Sequence, residues 1–221
     1  MTDPLLPSPL RALVQRLDAH DSATAEHSRR VAELAGAAGH ALGLSDRDNS
    51  IVFTTALLHD LNKLAVSPAM LNKPGALNAR KRAALDRHPD AGADLLLSID
   101  SALRHVAVAV RSHHERLDGS GYPLGLAGCA IPLVGRIVAV ADVYDALVSE
   151  RPYRWRSFTH DEACDHLETN AGRLFDPECV SAFVRVASGS DRDVHATGAL
   201  ISAMGGCRDH PSPSGQTRST R

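Results

Sequence analysis

Aromatic side chains are scarce: four Phe, three Tyr and one Trp make up 4% of the 221 residues. A core for this chain must therefore be built from Leu, Val and Ala, a mix that favours helices over strands. Alternating apolar and polar stretches of useful length are missing too, and so is any internal repeat. Cysteine is limited to Cys129, Cys164, Cys179 and Cys207, with no closely spaced pair. That spacing excludes a zinc-ribbon pattern and a disulfide framework, and predicts reduced thiols. Neither sign of charge dominates, the net charge being -2 and the pI about 6.6. A general binder of nucleic-acid polymers would show a basic face, so that class is excluded, whereas a small anion held by a few arginines is not. No apolar run is long enough to cross a bilayer. The most apolar stretch, Ile131 to Val148, is interrupted by Arg136, Asp142 and Asp145. The start, Met1-Thr-Asp-Pro4, lacks the basic and apolar segments of a signal peptide. A cytoplasmic protein with no membrane partner is expected.

Hydrophobic residues at 43% and charged residues at 23% are ordinary for a globular protein. The length suits one domain with a sizeable core plus a tail. Residues 1–9 carry three prolines and read as a flexible leader, residues 10–188 as the domain, and residues 189–221 as a disordered tail. Val31, Leu34, Ala35, Ala38 and Leu42 form one apolar helical face, which Gly43 can terminate. Ser45 or Asp46 starts a helix running to about Asp60. Pro68 and Pro74-Gly75 mark a loop, and Asn78 can cap a helix towards His88-Pro89. A further helix reaches about Leu97, and one from Ser101 reaches His114. The glycine-rich stretch from Asp118 to Gly125 cannot be regular. Pro132 opens a long helix to about Ser149, Thr159-His-Asp-Glu162 is a capping box, and Asp176-Pro177 opens the last helix. The expected fold class is all-α.

Twelve histidines exceed what packing needs, and histidine is the commonest metal ligand. His59-Asp60 ends an apolar helix, where a buried aspartate is costly unless paired or bound to metal. Taken alone the pair also fits a capped, solvated helix end. His113-His114 closes another helix; adjacent helical residues point about 100° apart, so both reach one cation only at a fraying end. Two surface histidines would look the same. Asp142 is sharper, because it sits in the nearly apolar Ile137-Val-Ala-Val-Ala-Asp-Val143, where an unpaired carboxylate would cost several kcal/mol. Metal ligation relieves that cost, and a salt bridge to Arg136 or another arginine is the rival. Asp145, one turn on, could orient a histidine ligand. His27 and His88 would draw no notice singly.

Together these residues resemble the HD-GYP family, a branch of the HD phosphohydrolases. The matching stretches run in order: His27-Ser-Arg-Arg-Val-Ala32, Leu57-Leu-His-Asp-Leu-Asn-Lys63, Leu71-Asn-Lys-Pro-Gly75 and His88-Pro-Asp-Ala-Gly-Ala93. Then follow His113-His-Glu-Arg-Leu-Asp-Gly-Ser-Gly-Tyr-Pro123, Arg136-Ile-Val-Ala-Val-Ala-Asp-Val-Tyr-Asp-Ala146, Arg151-Pro-Tyr-Arg154 and Ala171-Gly-Arg-Leu-Phe-Asp-Pro177. The resemblance covers roughly residues 20–187, and the stretch ending in Gly-Tyr-Pro is its most specific part. It implies an HD-domain-like helical bundle with a two-metal site that hydrolyses cyclic di-GMP to linear pGpG, GMP or both. The implied ligands are His27, His59, Asp60, His88, His113, His114 and Asp142, with Asp60 bridging. The implied cations are Fe or Mn, with Zn, Ni, Co and Mg as further divalent candidates. A hydroxide between the cations would attack phosphorus, with Asp60 and Lys63 in the catalytic set. Lys63, Tyr122, Arg151 and Arg154 would bind the substrate. The resemblance also implies a regulatory or diguanylate cyclase partner at the Gly-Tyr-Pro loop.

The chain departs from the family in two places. Three-metal members carry a glutamate four residues before the first histidine; Ala23 stands there, so two metals are expected. Asn62 replaces the usual glycine between Asp60 and Lys63, where a side chain could crowd the site or restrict the turn, or be harmless because asparagine tolerates unusual backbone angles. Relatives often carry a receiver or membrane module; none precedes this domain, so a stand-alone domain or a separate regulator is expected. Asn62 motivates a second reading, a cyclic dinucleotide sensor without turnover. A third reading is an HD phosphohydrolase acting on a hybrid cyclic dinucleotide or another nucleotide.

Overall fold

The computed structural model describes residues 6–65, 86–150 and 156–189. Eight α-helices appear there: α1 (Ser8–His20), α2 (Ser22–Ala41), α3 (Asp46–Leu58), α4 (His88–Ile99), α5 (Arg104–Ser112), α6 (Leu133–Val148), α7 (His160–Thr169) and α8 (Pro177–Ala187). A 3-10 turn, Leu61–Ala65, follows α3. Among the described residues there is no β-strand, only two isolated bridges, Asp118 with Ala127 and Ala171 with Phe175. The all-α expectation holds.

Local chemistry explains several of the helix ends. Asp21 caps α2, Ser45 caps α3, and Thr159 and Glu162 form a complete capping box on α7. Asp176 accepts from the Glu178 and Cys179 amides, with Pro177 in the first turn of α8. Gly43 follows α2 at φ +76°, a left-handed conformation that suits glycine. Other boundaries differ from the sequence reading. Leu6 is buried and α1 already begins at Ser8. The stretch from Ser101 is split, because Asp100 binds the Ala102 amide and sets a 3-10 turn, Ser101–Leu103, before α5. α3 ends at Leu58, leaving His59 and Asp60 in the following turn. The turn at Pro68 and Pro74-Gly75, the helix from Asn78, and the tail from residue 190 lie outside the described residues. Of the four thiols expected to be reduced, Cys164 and Cys179 are free, and Cys207 lies outside the described residues.

α2 is the central helix and packs against α1, α3, α6 and α8. Its buried face is small: Val31, Ala32, Ala35, Gly36, Ala38 and Gly39. That smoothness lets α3 come close. A Cβ on Gly39 would lie 2.1 Å from Asn49 Oδ1, and one on Gly36 would lie 3.6 Å from the Phe53 ring. α5 packs on α3, α4 and α6. Gly135 seats the end of α5 on α6, since a Cβ there would lie 2.3 Å from Ser112 Oγ. Leu58, Leu61, Leu96, Val110, Ile137, Val138 and Phe183 join one continuous core, the burial that stabilises the bundle. Few of these side chains are aromatic, as the composition requires.

Candidate metal centre

Five segments deliver side chains to one buried point. His27 comes from the second turn of α2, and His59 and Asp60 from the turn that ends α3. His88 opens α4, His113 and His114 follow the last turn of α5, and Asp142 projects from the middle of α6. Three groupings bring potential ligand atoms within 4.8 Å of one another: His27, His59 and Asp142; His88, His113 and His114; and His59, Asp60 and His113. All seven residues implied by the sequence thus meet. Asp60 lies between the first two groups. Its Oδ2 is 3.4 Å from His59 Nε2 and 3.9 Å from His27 Nε2, while its Oδ1 is 3.5 Å from His88 Nε2. One oxygen faces each group, the placement a bridging carboxylate needs.

The backbone sets the imidazoles. His59 Nδ1 lies 2.7 Å from Ala56 O, and His113 Nδ1 lies 2.6 Å from Val110 O. A carbonyl only accepts, so each Nδ1 carries the proton and each Nε2 turns a lone pair inward. His27 is set by Asp145, whose Oδ2 lies 2.6 Å from Nδ1, and its Nε2 reaches Asp142 Oδ1 at 3.1 Å. Asp145 therefore does orient a histidine. Arg136 pairs with Asp176, not with Asp142, which removes that arginine as the partner of the buried carboxylate. His59 is 1% exposed, and its Nε2 makes no hydrogen bond among the described residues. A buried imidazole nitrogen left without a partner, facing two carboxylates and other imidazoles, fits a borderline divalent cation.

The electrostatics prepare most of these groups as ligands. Burial acts to raise the pKa of Asp60, but Lys63 and then His59 hold it well below the usual carboxylate range. Burial likewise works against Asp142, and His27 and His59 hold it low. Burial and the neighbouring imidazoles push His113 down, and burial takes His114 to about 3, so both stay neutral lone-pair donors. Burial also lowers His27, but hydrogen bonds to Asp142 and Asp145 outweigh it and bring it to about 9. A cation held there would have to displace that proton.

Lys63 places its ammonium on Asp60 and is 20% exposed at the edge of the cluster. Tyr122 stacks on His114 at 4.7 Å between ring centroids, closing that side. Arg151 and Arg154 lie outside the described residues. Asn62 sits in the 3-10 turn, and among the described residues none other than glycine has a positive φ. Nothing glycine-specific is therefore asked of that position. Its Cβ lies 3.9 Å from where a Cβ on Gly92 would stand, beside α4.

Three residues escaped the sequence reading. Glu115 is buried and accepts from the Leu124 amide at 2.7 Å and the Leu126 amide at 3.0 Å, tying down the Gly-Tyr-Pro loop. Gly121 lets that loop close, because a Cβ there would lie 2.4 Å from Glu115 Cα and from Arg116 N. Arg30 binds Asp145 behind His27. Its only signal in the sequence is its place three residues after His27, on the same side of a helix.

The HD domain family matches residues 11–179. The cyclic di-GMP phosphodiesterase response regulator RpfG of Xanthomonas campestris pv. campestris is 44% identical over 177 residues, which cover 80% of this chain and 47% of that protein. The 3'3'-cGAMP-specific phosphodiesterase 3 of Vibrio cholerae is 40% identical over 166 residues, covering 75% of this chain and 36% of that protein. Bd1817, an HDG"Y"P protein from Bdellovibrio bacteriovorus, shares the fold with a TM-score of 0.60 at 23% identity, over 75% of this chain and 52% of that one. This chain therefore belongs to the HD domain family, in its HD-GYP branch. It spans less than half the length of those two curated relatives.

Proposed function

We propose that this chain is a metal-dependent phosphodiesterase that hydrolyses cyclic di-GMP to linear pGpG, GMP or both. The observation that carries the reading is the convergence of five imidazoles and two carboxylates on one buried point, with Asp60 facing both halves. His27, His59 and Asp142 would hold one cation, His88, His113 and His114 the other, and Asp60 would bridge. Two cations are proposed, with Fe or Mn favoured by the mixed nitrogen and oxygen donors. Held there, they would supply Lewis acidity towards a phosphodiester and make water easier to deprotonate.

The chain's own residues do the rest. Lys63 puts a positive charge at the edge of the cluster, where a phosphate oxygen would approach. Tyr122 lies against the His114 ring and shapes that flank of the cluster. Arg151 and Arg154 are proposed to hold the dinucleotide. The protein is proposed to act in the cytoplasm, and no helix among the described residues is long and apolar enough to cross a membrane. The Gly-Tyr-Pro loop is proposed as the contact for a regulatory or diguanylate cyclase partner. Residues 10–188 are proposed as the functional domain.

The test is hydrolysis of cyclic di-GMP by Fe- or Mn-loaded protein under reducing conditions, with metal content measured beside it. Turnover that is lost together with bound metal in Asp60→Ala supports the reading. No turnover with either metal would end it. The identity of 40% to a relative named for 3'3'-cGAMP favours a second substrate of the same class, the hybrid dinucleotide. Competing the two substrates in one assay decides between them. The sensor reading rests on Asn62 alone, and the ordinary backbone there counts against a restricted turn as its motive.

A further inference from the structure

A knot of polar side chains stands behind His27. Arg30 grips the Asp145 carboxylate with two prongs, Nε to Oδ1 at 2.6 Å and Nη2 to Oδ2 at 3.0 Å. Nη2 also reaches Ser149 Oγ at 3.2 Å, and that hydroxyl donates to Asp145 Oδ2 at 3.1 Å. Ser149 is the C-cap of α6, its amide bonded to Asp145 O. The far side of Oδ2 meets His27 Nδ1 at 2.6 Å. The order of contact is Arg30, Asp145, His27, Asp142, and it spans α2 and α6.

The division of labour follows from geometry. An aspartate has two side-chain torsions, and alone it could accept from an imidazole with either oxygen in many planes. A guanidinium is planar, and its fork matches a carboxylate in one plane only. Gripped at both oxygens, Asp145 can present Oδ2 to His27 in one orientation. The ring of His27 then follows, and its Nε2 points towards Asp142 Oδ1 at 3.1 Å. A surface ion pair is usually worth little. Here only the arginine is near solvent, at 46% exposed, while the carboxylate is 3% exposed and touches a candidate ligand.

We propose that Arg30 is a positioning residue for the metal centre, acting through Asp145 to lock the His27 ring with Nε2 turned towards the cation. This rests on the metal-centre reading above. Outer partners of metal-bound histidines typically matter about 10–100-fold in affinity, and the same scale is expected here.

The test uses the full chain, stripped of metal and titrated with Mn2+, with free Mn2+ followed by electron paramagnetic resonance. Four proteins are compared: the unaltered chain, Arg30→Gln, Arg30→Lys and Arg29→Gln. Arg29 neighbours Arg30 but pairs with Asp18 at 3.2 Å, so its variant controls for loss of a charge on α2. Arg30→Gln is expected to bind Mn2+ about tenfold more weakly or worse. Arg30→Lys keeps the charge without the fork and should stay well below the unaltered chain. Arg29→Gln should match it. In the metal-free protein, the low-field proton resonance of His27 Nδ1–H should be present in the unaltered chain and lost or broadened in Arg30→Gln at unchanged melting temperature. If Arg30→Gln melts early, Arg30→Lys carries the comparison.

Equal Mn2+ affinity in Arg30→Gln and the unaltered chain overturns the proposal, and so does full recovery by lysine, which would reduce the role to charge. An unaltered chain that takes up no Mn2+ overturns the metal-centre reading as well. Unchanged binding by the variants beside a metal-binding parent sinks the role of Arg30 alone.

Discussion

Replacing Glu115 by glutamine should loosen the Gly-Tyr-Pro loop without unfolding the domain. The two carboxylate oxygens of Glu115 each accept one backbone amide, Leu124 at 2.7 Å and Leu126 at 3.0 Å. Apolar burial contributes little at that point, since Leu124 is 59% exposed. A glutamine keeps one acceptor and replaces the other with an amino group. One of the two amides then faces a donor. An unsatisfied buried donor costs about 1–3 kcal/mol, and hydrogen bonds to a charged group exceed neutral ones. A loss of about 1.4–2.8 kcal/mol in local opening corresponds to amide exchange about 10–100-fold faster. Hydrogen exchange read by NMR at Leu124 and Leu126 measures this directly, with core amides such as Val138 as the reference. Tyr122, whose amide reaches His114 O at 3.3 Å, should lose its stacking on His114, and a fall in turnover at full metal content would report it. Exchange within about twofold of the parent at both amides would refute the reasoning.

Lys63→Ala should keep the metal content and slow cyclic di-GMP hydrolysis, a split that elemental analysis beside an activity assay resolves. Asn62→Gly should change turnover by less than a few-fold, and should lower stability by about 0.5–1 kcal/mol in urea denaturation through added chain entropy. Gly39→Ala drives a methyl against Asn49 and should cost about 1–3 kcal/mol by the same measurement. At the capping box, Arg156 and then the Thr159 amide hold Glu162 down to about 2, against an ordinary value of 4.5. Its contribution to α7 is therefore present above about 4.5 and is lost as the pH falls through about 2. Amide exchange in α7 should show that loss in the parent and not in Glu162→Gln.

The seven residues that converge in the fold were legible because each lies in a short run whose order along the chain is distinctive. Asp142 was legible on physical grounds alone, as a carboxylate set among Ile137, Val138, Ala139, Val140 and Ala141. Caps were legible for the same local reason: Ser45, Thr159 and Asp176 bind amides two or three residues away. What stayed hidden depends on distant partners. Arg30 meets a carboxylate 115 positions along the chain, and Arg136 meets Asp176 across 40. Glu115 looked like one more polar residue in a loop, because only the folded backbone brings the Leu124 and Leu126 amides to it. The break at Ser101 turned on one Asp100 side chain outcompeting the helix for the Ala102 amide.

α2 and α3 work as a pair of tongs. At one end Gly39 admits Asn49 with no room for a methyl; at the other the His27 and His59 rings meet at 5.3 Å between centroids. About 18 Å of helix separates the two ends of α2, twelve residues at about 1.5 Å each. A spacer inserted at the glycine end must tilt one arm and change the gap between the jaws. Mutational pressure on that alanine and glycine seam, remote from any ligand, is therefore pressure on how tightly the jaws close.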